Sequence, residues 1–186
     1  MAKTHGTRTD AFVRDMLNVL DGCCGLQFEP EHSRKGRYGC VDLVGRHANT
    51  NEDGKGSDRV FIEVELRRYG AVGNVIKIWR RLDEQQCPDD VVFIQAFSAF
   101  YKKKQTARIS AEFIAQKMKS RYPGIRYIPL SFDYRPAARK SGAPVMKGAG
   151  RRKYHAEKLA KRIKRRLKPM FQTDSARTMK ALAARA

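Results

Sequence analysis

The chain has 186 residues, with 39 Lys and Arg against 19 Asp and Glu, a formal net charge of +20. This length allows one domain with a hydrophobic core and an appendage. No run of about 18 apolar residues is present, which argues against a transmembrane helix, and the opening MAKTHGTRTD lacks the apolar stretch of a secretion signal. We therefore expect an intracellular, cytoplasmic protein that does not bind a membrane.

The positive charge is concentrated toward the C-terminus. Residues 135–186 carry 17 Lys and Arg and two acids, a net charge of +15, whereas residues 1–134 carry +5. A segment this basic favours a polyanionic partner, and nucleic acid is the first candidate. An anionic membrane surface and an acidic protein are alternatives with less support. We predict an α/β domain over 1–134 and a basic, nucleic-acid-contacting tail over 135–186.

Apolar spacing predicts the elements of the first half of the chain. A helix is expected from Thr9 or Asp10 to about Asp21, where Gly22 ends it. The elements that follow are an extended segment 26–29, a strand 38–45, a polar loop 46–58, a strand 60–68 and a helix 71–84. The predicted apolar stripe of that last helix consists of Val72, Val75, Ile76, Trp79 and Leu82.

The second half continues with alternating strands and helices. A strand is predicted over 91–97, a helix over 107–120, a strand over 125–132, a linker over 135–150 and a helix over 151–168 that Pro169 ends. The inner face predicted for the 107–120 helix is Ile109, Phe113, Ile114 and Met118. This order predicts an α/β fold with a small mixed central sheet flanked by helices.

The strand at 60–68 reads VFIEVELRR and carries two acids on one face. Glu63 and Glu65 are two positions apart, so both side chains leave the strand on the same side. Burying two neighbouring carboxylates is costly without compensation, and a divalent metal commonly provides it. The alternative is an ordinary half-exposed strand, with both acids solvated or paired to arginines.

Asp42 lies near the end of the preceding predicted strand. If the two strands are antiparallel neighbours, Asp42 sits beside the Glu63 and Glu65 pair. Three carboxylates converging at strand ends would form an oxygen-ligand site for Mg²⁺ or Mn²⁺. A metal held there would polarise a phosphodiester and lower the pKa of a bound water.

With these acids and this order of elements, residues 9–97 resemble the PD-(D/E)xK nuclease superfamily, also called the restriction-endonuclease-like fold. The core of that family has a helix, three strands, a helix and a strand. The resemblance matches Asp42 to the acid of the second strand, and Glu63 and Glu65 to the paired positions of the third. It implies Mg²⁺-dependent hydrolysis of phosphodiester bonds, usually of DNA. This chain departs at two positions: Val41 stands where the family has Pro, and Glu65 stands at the usual Lys position.

The departure at Glu65 leaves the assisting group open among three residues. Arg67 is on the strand face of Glu65, and a frame two residues later would read Asp42, Glu65, Arg67. Lys77 lies on the next helix, where some family members relocate their lysine, although a solvated position opposite the predicted stripe is the alternative. Gln95 would either reach a metal-bound water or a phosphate, or be a hydrogen-bonded core glutamine.

Basic residues outside this cluster are expected to contact phosphates, although charge runs are also common on ordinary solvated surfaces. The predicted contacts are Arg34, Lys35, Arg37, Lys102, Lys103, Lys104, Arg151, Arg152, Lys153, Lys161 and Arg165. In the last predicted helix, an apolar stripe of Leu159, Ile163 and Leu167 runs between these cations. Docking of that stripe, or neutralisation of the charge on DNA, would order the helix.

The leading hypothesis is a Mg²⁺-dependent (or Mn²⁺-dependent) nuclease that acts on double-stranded DNA. Cutting both strands of a duplex would favour a homodimer. One alternative is a non-catalytic nucleic-acid-binding protein on the same fold, favoured by the missing lysine. Another is an RNA-associated or assembly protein dominated by the tail. The four cysteines show no C-x-x-C spacing, so we expect reduced thiols rather than a zinc site.

Overall fold

The structure is a computed structural model that describes residues 8–31, 40–47, 58–66, 70–102, 105–134 and 148–183. The side chains of residues 8, 58, 102, 105 and 172–183 lie outside this description. The helices and strands are α1 Arg8–Leu20, β1 Leu26–Glu29, β2 Leu43–His47, β3 Asp58–Glu65, α2 Ala71–Asp83, β4 Val92–Ser98, α3 Gln105–Arg121, β5 Arg126–Phe132 and α4 Ala149–Ala183. Short 3-10 turns occupy Cys23–Gly25 and Ala99–Lys102.

The five strands form one mixed sheet in the order β1-β2-β3-β4-β5. The first three are antiparallel, whereas β3, β4 and β5 are parallel to one another. Parallel neighbours need crossover connections, which α2 and α3 supply. Within β2, Gly45 lets the ring of Phe28 on β1 lie close, since a Cβ at this position would come within 2.7 Å of that ring. The predicted small mixed sheet flanked by helices is confirmed.

The alternating side chains of β3 divide the interior into two layers. Val60, Ile62 and Val64 pack with α1 and α4 on one face of the sheet. Phe61 packs with α2 and α3 on the other face. Glu63 and Glu65 share the parity of Phe61 and therefore lie under α2.

The buried faces of α2 and α3 differ from the predicted stripes. Ile76 in α2 is 42% exposed, and Ile109 and Phe113 in α3 are 55% and 58% exposed. The residues that face the sheet are Ala71, Val75, Ile78 and Leu82 in α2, and Ala111, Ala115 and Met118 in α3. Small alanines let each helix approach the sheet closely. The face of each helix that packs on the sheet is therefore not the face with the largest apolar residues.

The C-terminal helix α4 is part of the folded body. Leu159, Ile163 and Leu167 are buried in the same cluster as Phe12 of α1. The docking of the stripe that the sequence suggested therefore takes place within this chain. The layer that α4 forms covers one face of the sheet, so the structured body does not end at residue 134.

The sequence had predicted that Pro169 ends the last helix. This prediction is wrong, since α4 continues through Pro169 to Ala183. A proline inside a helix lacks one backbone N–H and crowds the carbonyl four residues earlier. Met170 and Phe171 lie directly after it and pack against the core, which offsets this cost. Among the described helices, none has the length and apolarity needed to cross a membrane.

Candidate active site

Strand pairing brings Asp42 next to Glu63. Leu43 pairs with Ile62 in the antiparallel β2–β3 ladder, so the next position places Asp42 opposite Glu63. The Asp42 Oδ2 accepts the backbone N–H of Val64 at 2.7 Å, which holds the carboxylate at the start of β2. The prediction that Asp42 sits beside the acid pair is confirmed.

Lys77 reaches this pair from α2. Its Nζ donates to Glu63 Oε1 at 2.6 Å and to the carbonyl oxygen of Cys40 at 2.8 Å. The alternative of a solvated lysine is wrong, since the Lys77 side chain is only 20% exposed. The sequence misjudged its position because the buried stripe of α2 is rotated from the predicted one, which brings Lys77 to the flank of the stripe.

Glu65 is held by neutral donors. Asn74 Nδ2 and Gln95 Nε2 donate to its Oε1 at 2.7 and 2.8 Å, and the Tyr101 hydroxyl donates to its Oε2 at 3.2 Å. Gln95 also donates to the carbonyl of Ala71 at 2.8 Å. With no exposed surface, Gln95 is the hydrogen-bonded core glutamine that the sequence allowed.

A hydrogen bond from Tyr127 on β5 fixes the Gln95 side chain of this network. The Tyr127 hydroxyl donates to Gln95 Oε1 at 2.9 Å, so the amide of Gln95 is fixed in one orientation. Burial is the main cause that raises the pKa of the Tyr127 phenol above its usual value. Tyr127 therefore stays a neutral donor at ordinary pH.

Burial raises the pKa of both glutamates. The pKa of Glu63 lies well above its usual value of 4.5, first through desolvation and then through the charge of Asp42, with Lys77 acting in the opposite direction. Desolvation also raises the pKa of Glu65, against the lowering effect of its three donors. At Glu63, desolvation and the charge of Asp42 therefore outweigh the lowering effect of Lys77 on the pKa.

Asp42, Glu63 and Glu65 do not form the three-carboxylate metal group predicted from the sequence. Across the described ranges, no cluster of three or more His, Cys, Asp or Glu side chains is placed to hold a metal ion. The physical reason is visible at Glu65, whose two oxygens accept hydrogen bonds from Asn74, Gln95 and Tyr101. Asp42 and Glu63 remain together as a pair of acids.

The third acid bound by α2 is Glu31, which sequence analysis missed. Arg81 donates from both terminal nitrogens to the Glu31 carboxylate, at 3.0 and 2.6 Å, and Val41 N–H donates to the same carboxylate at 2.8 Å. Asn74, Lys77 and Arg81 are spaced three and four residues apart, so they share one side of α2. We call these three residues the α2 polar ladder; its partners are Glu65, Glu63 and Glu31.

The spacing of three and four residues between the polar positions 74, 77 and 81 of α2 was a signal that sequence reasoning could have used. The two tyrosines carried no such signal. Tyr101 follows β4 in a 3-10 turn, and Tyr127 lies on β5, so only the folded sheet brings their hydroxyls to Glu65 and Gln95.

Several predicted residues fall outside the described part of the chain. Arg67, Arg34, Lys35, Arg37, Lys103 and Lys104 lie in the undescribed ranges, and only the backbone of Lys102 is described. Their predicted roles stay predictions.

The basic residues of α4 lie on the opposite side of the sheet from the acids. Arg151, Lys153, Lys161 and Arg165 are exposed. Arg152 pairs with Asp15 of α1 at 2.7 Å, so its charge ties two helices together. Lys153 lies 3.9 Å from Glu157, one turn along the helix. Their predicted contact with nucleic acid stays a prediction.

The four cysteines, Cys23, Cys24, Cys40 and Cys87, are free thiols in the structure. Cys23 and Cys87 are buried, and Cys24 and Cys40 are partly buried.

A scan of protein-family models, a search of curated proteins and a search of solved structures each found no match to this chain.

Proposed function

We propose that the chain is a Mg²⁺-dependent nuclease with a restriction-endonuclease-like fold, and that it hydrolyses phosphodiester bonds of DNA. The observation that carries the proposal is the contact between two acids and one lysine: Asp42 beside Glu63, with the Lys77 ammonium 2.6 Å from the Glu63 carboxylate. The order of a helix, three antiparallel strands, a crossover helix and a parallel strand supports it. The net charge of +20 supports a polyanionic substrate.

Asp42 and Glu63 fit a divalent cation by their chemistry. Carboxylate oxygens are the ligands Mg²⁺ prefers, and it is often bound by only one or two carboxylates together with waters and substrate phosphates. The geometry supports this fit, since the pairing of β2 with β3 sets Asp42 beside Glu63 and a hydrogen bond from Val64 N–H holds the Asp42 carboxylate there. When bound, Mg²⁺ would lower the pKa of a water and counter the charge on the phosphate.

Lys77 has two tasks in this proposal. Its bonds to Glu63 and to the Cys40 carbonyl fix the ammonium beside the acids, where it stabilises negative charge that develops on the attacked phosphate. The same ammonium orients the attacking water. Lys77 thereby supplies the cation missing at position 65, where Glu65 instead accepts bonds from Asn74, Gln95 and Tyr101. Glu65 is a positioning residue that keeps α2 and β3 aligned.

Plasmid cleavage with Mg²⁺ tests the proposal. We expect Glu63→Gln and Lys77→Met each to lower the cleavage rate by about a hundredfold or more, since each removes a charge used in the transition state. The matched controls are Glu84→Gln at the exposed end of α2 and Lys117→Met on the exposed side of α3. Absence of cleavage by the folded wild type under Mg²⁺ and Mn²⁺, or full activity of folded Glu63→Gln, would contradict the proposal.

The second candidate function is a nucleic-acid-binding protein without catalysis. It is favoured by the ion pair itself, because Lys77 already occupies one oxygen of Glu63, and by the lack of a three-acid metal group in the described ranges. Salt-sensitive, saturable DNA binding with no cleavage under either ion would select this candidate.

A further inference from the structure

A cavity of about 240 Å³ opens between the edge strand β5 and α4. It is lined by Ser131, Phe132, Asp133, His155, Lys158, Leu159 and Arg162. We call it the β5–α4 pocket. Phe132 and Leu159 are buried and form an apolar floor, whereas Lys158 is exposed at the wall. An apolar floor with a few convergent polar groups is the usual composition of a ligand site.

The pocket holds more positive than negative charge. Lys158 and Arg162 stand against the single acid Asp133. The Arg162 guanidinium donates to the Ser131 carbonyl at 2.5 Å, which fixes it in place and engages one of its five N–H groups. Across β5, Arg108 of α3 donates to the Ser131 hydroxyl at 2.5 Å. Cations from both helical layers therefore meet at the end of this strand.

His155 reports the same positive environment. Desolvation lowers the pKa of its imidazole, and the charges of Arg151 and Lys158 lower it further, while Asp133 acts in the opposite direction. The ring centroids of Tyr134 and His155 lie 5.4 Å apart. A phosphate group offers the negative charge and the acceptor oxygens that these donors lack.

The pocket and the acids lie at the same end of the sheet, on opposite faces. Glu65 pairs with Phe97, and Phe97 pairs with Ser131, so the three residues form one row across β3, β4 and β5. Two strand spacings amount to roughly 10 Å. The row lies at the carboxyl ends of three parallel strands, where ligands of α/β sheets commonly bind.

We propose that the β5–α4 pocket binds a backbone phosphate of the same DNA that is cleaved beside Asp42 and Glu63. This inference rests on the proposed nuclease function, but the pocket's part in binding is measurable without cleavage. Lys158 and Arg162 supply the charge, and the floor of Phe132 and Leu159 excludes water behind the phosphate. Contact of this kind adds affinity without sequence preference.

The test is the salt dependence of binding to duplex DNA in buffer with EDTA, where no cleavage occurs. The variant Lys158→Ala/Arg162→Ala is compared with Arg166→Ala/Lys168→Ala, which removes the same charge from exposed positions of α4 outside the pocket. We expect the pocket variant to bind about tenfold more weakly at about 0.1 M salt. The slope of log K against log salt should fall by about one unit, as for the loss of one phosphate contact.

Because Arg162 also bonds β5, the single variant Lys158→Glu provides a second measurement that leaves this bond in place. It should weaken binding at least as much as Lys158→Ala, with an unchanged unfolding midpoint. Equal binding by the pocket and control variants would overturn the proposal, as would a wild type that binds no DNA.

A test with inorganic phosphate distinguishes a pocket that binds a DNA phosphate from one that binds free phosphate. If millimolar phosphate protects Lys158 from acylation while the pocket variant binds DNA as the control does, the pocket serves free phosphate and the proposal is overturned. Failure of the nuclease proposal has a different signature, namely wild-type binding with the expected pocket effect but no cleavage under Mg²⁺ or Mn²⁺.

Discussion

Glu63 carries a carboxyl group into a position where only 3% of the residue remains exposed. An ionised carboxylate in such a place needs a counter-charge, and Lys77 provides one at 2.6 Å while Asp42 adds repulsion. Because the pKa of Glu63 is raised, the folded state is more stable with Glu63 protonated than with Glu63 ionised.

This balance predicts how the stability of the metal-free protein depends on pH. Because the pKa of Glu63 is raised in the folded state, its contribution is fully present below the ordinary value of 4.5 and is lost as the pH rises through the folded pKa. We expect the free energy of unfolding to fall with pH over this window. The fall should be smaller in Glu63→Gln, which cannot ionise.

Urea unfolding followed by circular dichroism, in EDTA at a series of pH values, measures this difference. The control is Glu84→Gln, which removes an exposed carboxylate and should leave the slope unchanged. Parallel pH curves for wild type and Glu63→Gln would show that the burial of Glu63 does not disfavour its ionised form.

The ion pair of Glu31 and Arg81 should matter for stability rather than for cleavage. Both side chains are nearly buried, at 2% and 9% exposure, and they are joined by two hydrogen bonds. Removing one partner leaves a charge without compensation, so we expect Glu31→Ala to cost about 3–5 kcal/mol.

Chemical denaturation checks this value, with Glu157→Gln in the exposed pair with Lys153 as the control. That pair is one helical turn long and 3.9 Å apart, so its loss should cost about 0.5 kcal/mol or less. Equal effects of the two substitutions would contradict the importance assigned to burial.

At the scale of elements, α4 and α3 show that an apolar stripe in the sequence does not by itself decide which residues are buried. Ile163 of α4 is fully buried, whereas Ile109 of α3 is 55% exposed. We expect Ile163→Ala to cost about 2–5 kcal/mol, through lost transfer energy and the cavity left behind. Ile109→Ala should cost about 0.5 kcal/mol or less.

Unfolding midpoints in urea for the two isoleucine variants decide between these expectations. Sequence analysis placed Ile109 on the inner face of its helix and Ile163 in an apolar stripe. A comparable loss in both variants would favour the inner face predicted for α3 over the observed one.

The sequence predicted elements better than faces. The period of two in β3 correctly placed Glu63 and Glu65 together, because a strand has no freedom in how it alternates. A helix can rotate about its axis, and the rotation of α2 is decided by the sheet beneath it. That rotation made Lys77 look solvated when it in fact contacts Glu63.

The candidate site was predictable where neighbouring strands alone define it. Asp42 beside Glu63 follows from an antiparallel pair joined by a loop. The donors to Glu65 come from α2, β4 and the turn after β4, and their meeting depends on the crossover connection from β3 to β4, whose geometry has no local sequence signal.

At the scale of the whole molecule, the position of α4 changes what a truncation measures. The buried residues of α1, including Phe12 and Met16, share a cluster with Ile163 and Leu167 of α4. Deleting residues 135–186 would uncover this face of the sheet, so we expect the shortened chain to lose cooperative unfolding. Its loss of DNA binding would then report unfolding rather than the loss of a basic tail.

Thermal unfolding and dye binding to exposed apolar surface, measured on the deletion variant, check this expectation. Surface charge variants such as Arg166→Ala/Lys168→Ala keep the core intact and serve as the comparison. A shortened chain that unfolds cooperatively with an unchanged midpoint would restore the division at residue 134.

The α2 polar ladder also makes this helix sensitive to changes in length. Asn74, Lys77 and Arg81 contact three different acids on the sheet, Glu65, Glu63 and Glu31, from one rigid rod. One residue inserted between Asn74 and Lys77 would turn everything after it by about 100° and advance it by about 1.5 Å. Two acids would lose their partners in a single step, so this segment should tolerate exchanged side chains far more readily than insertions or deletions.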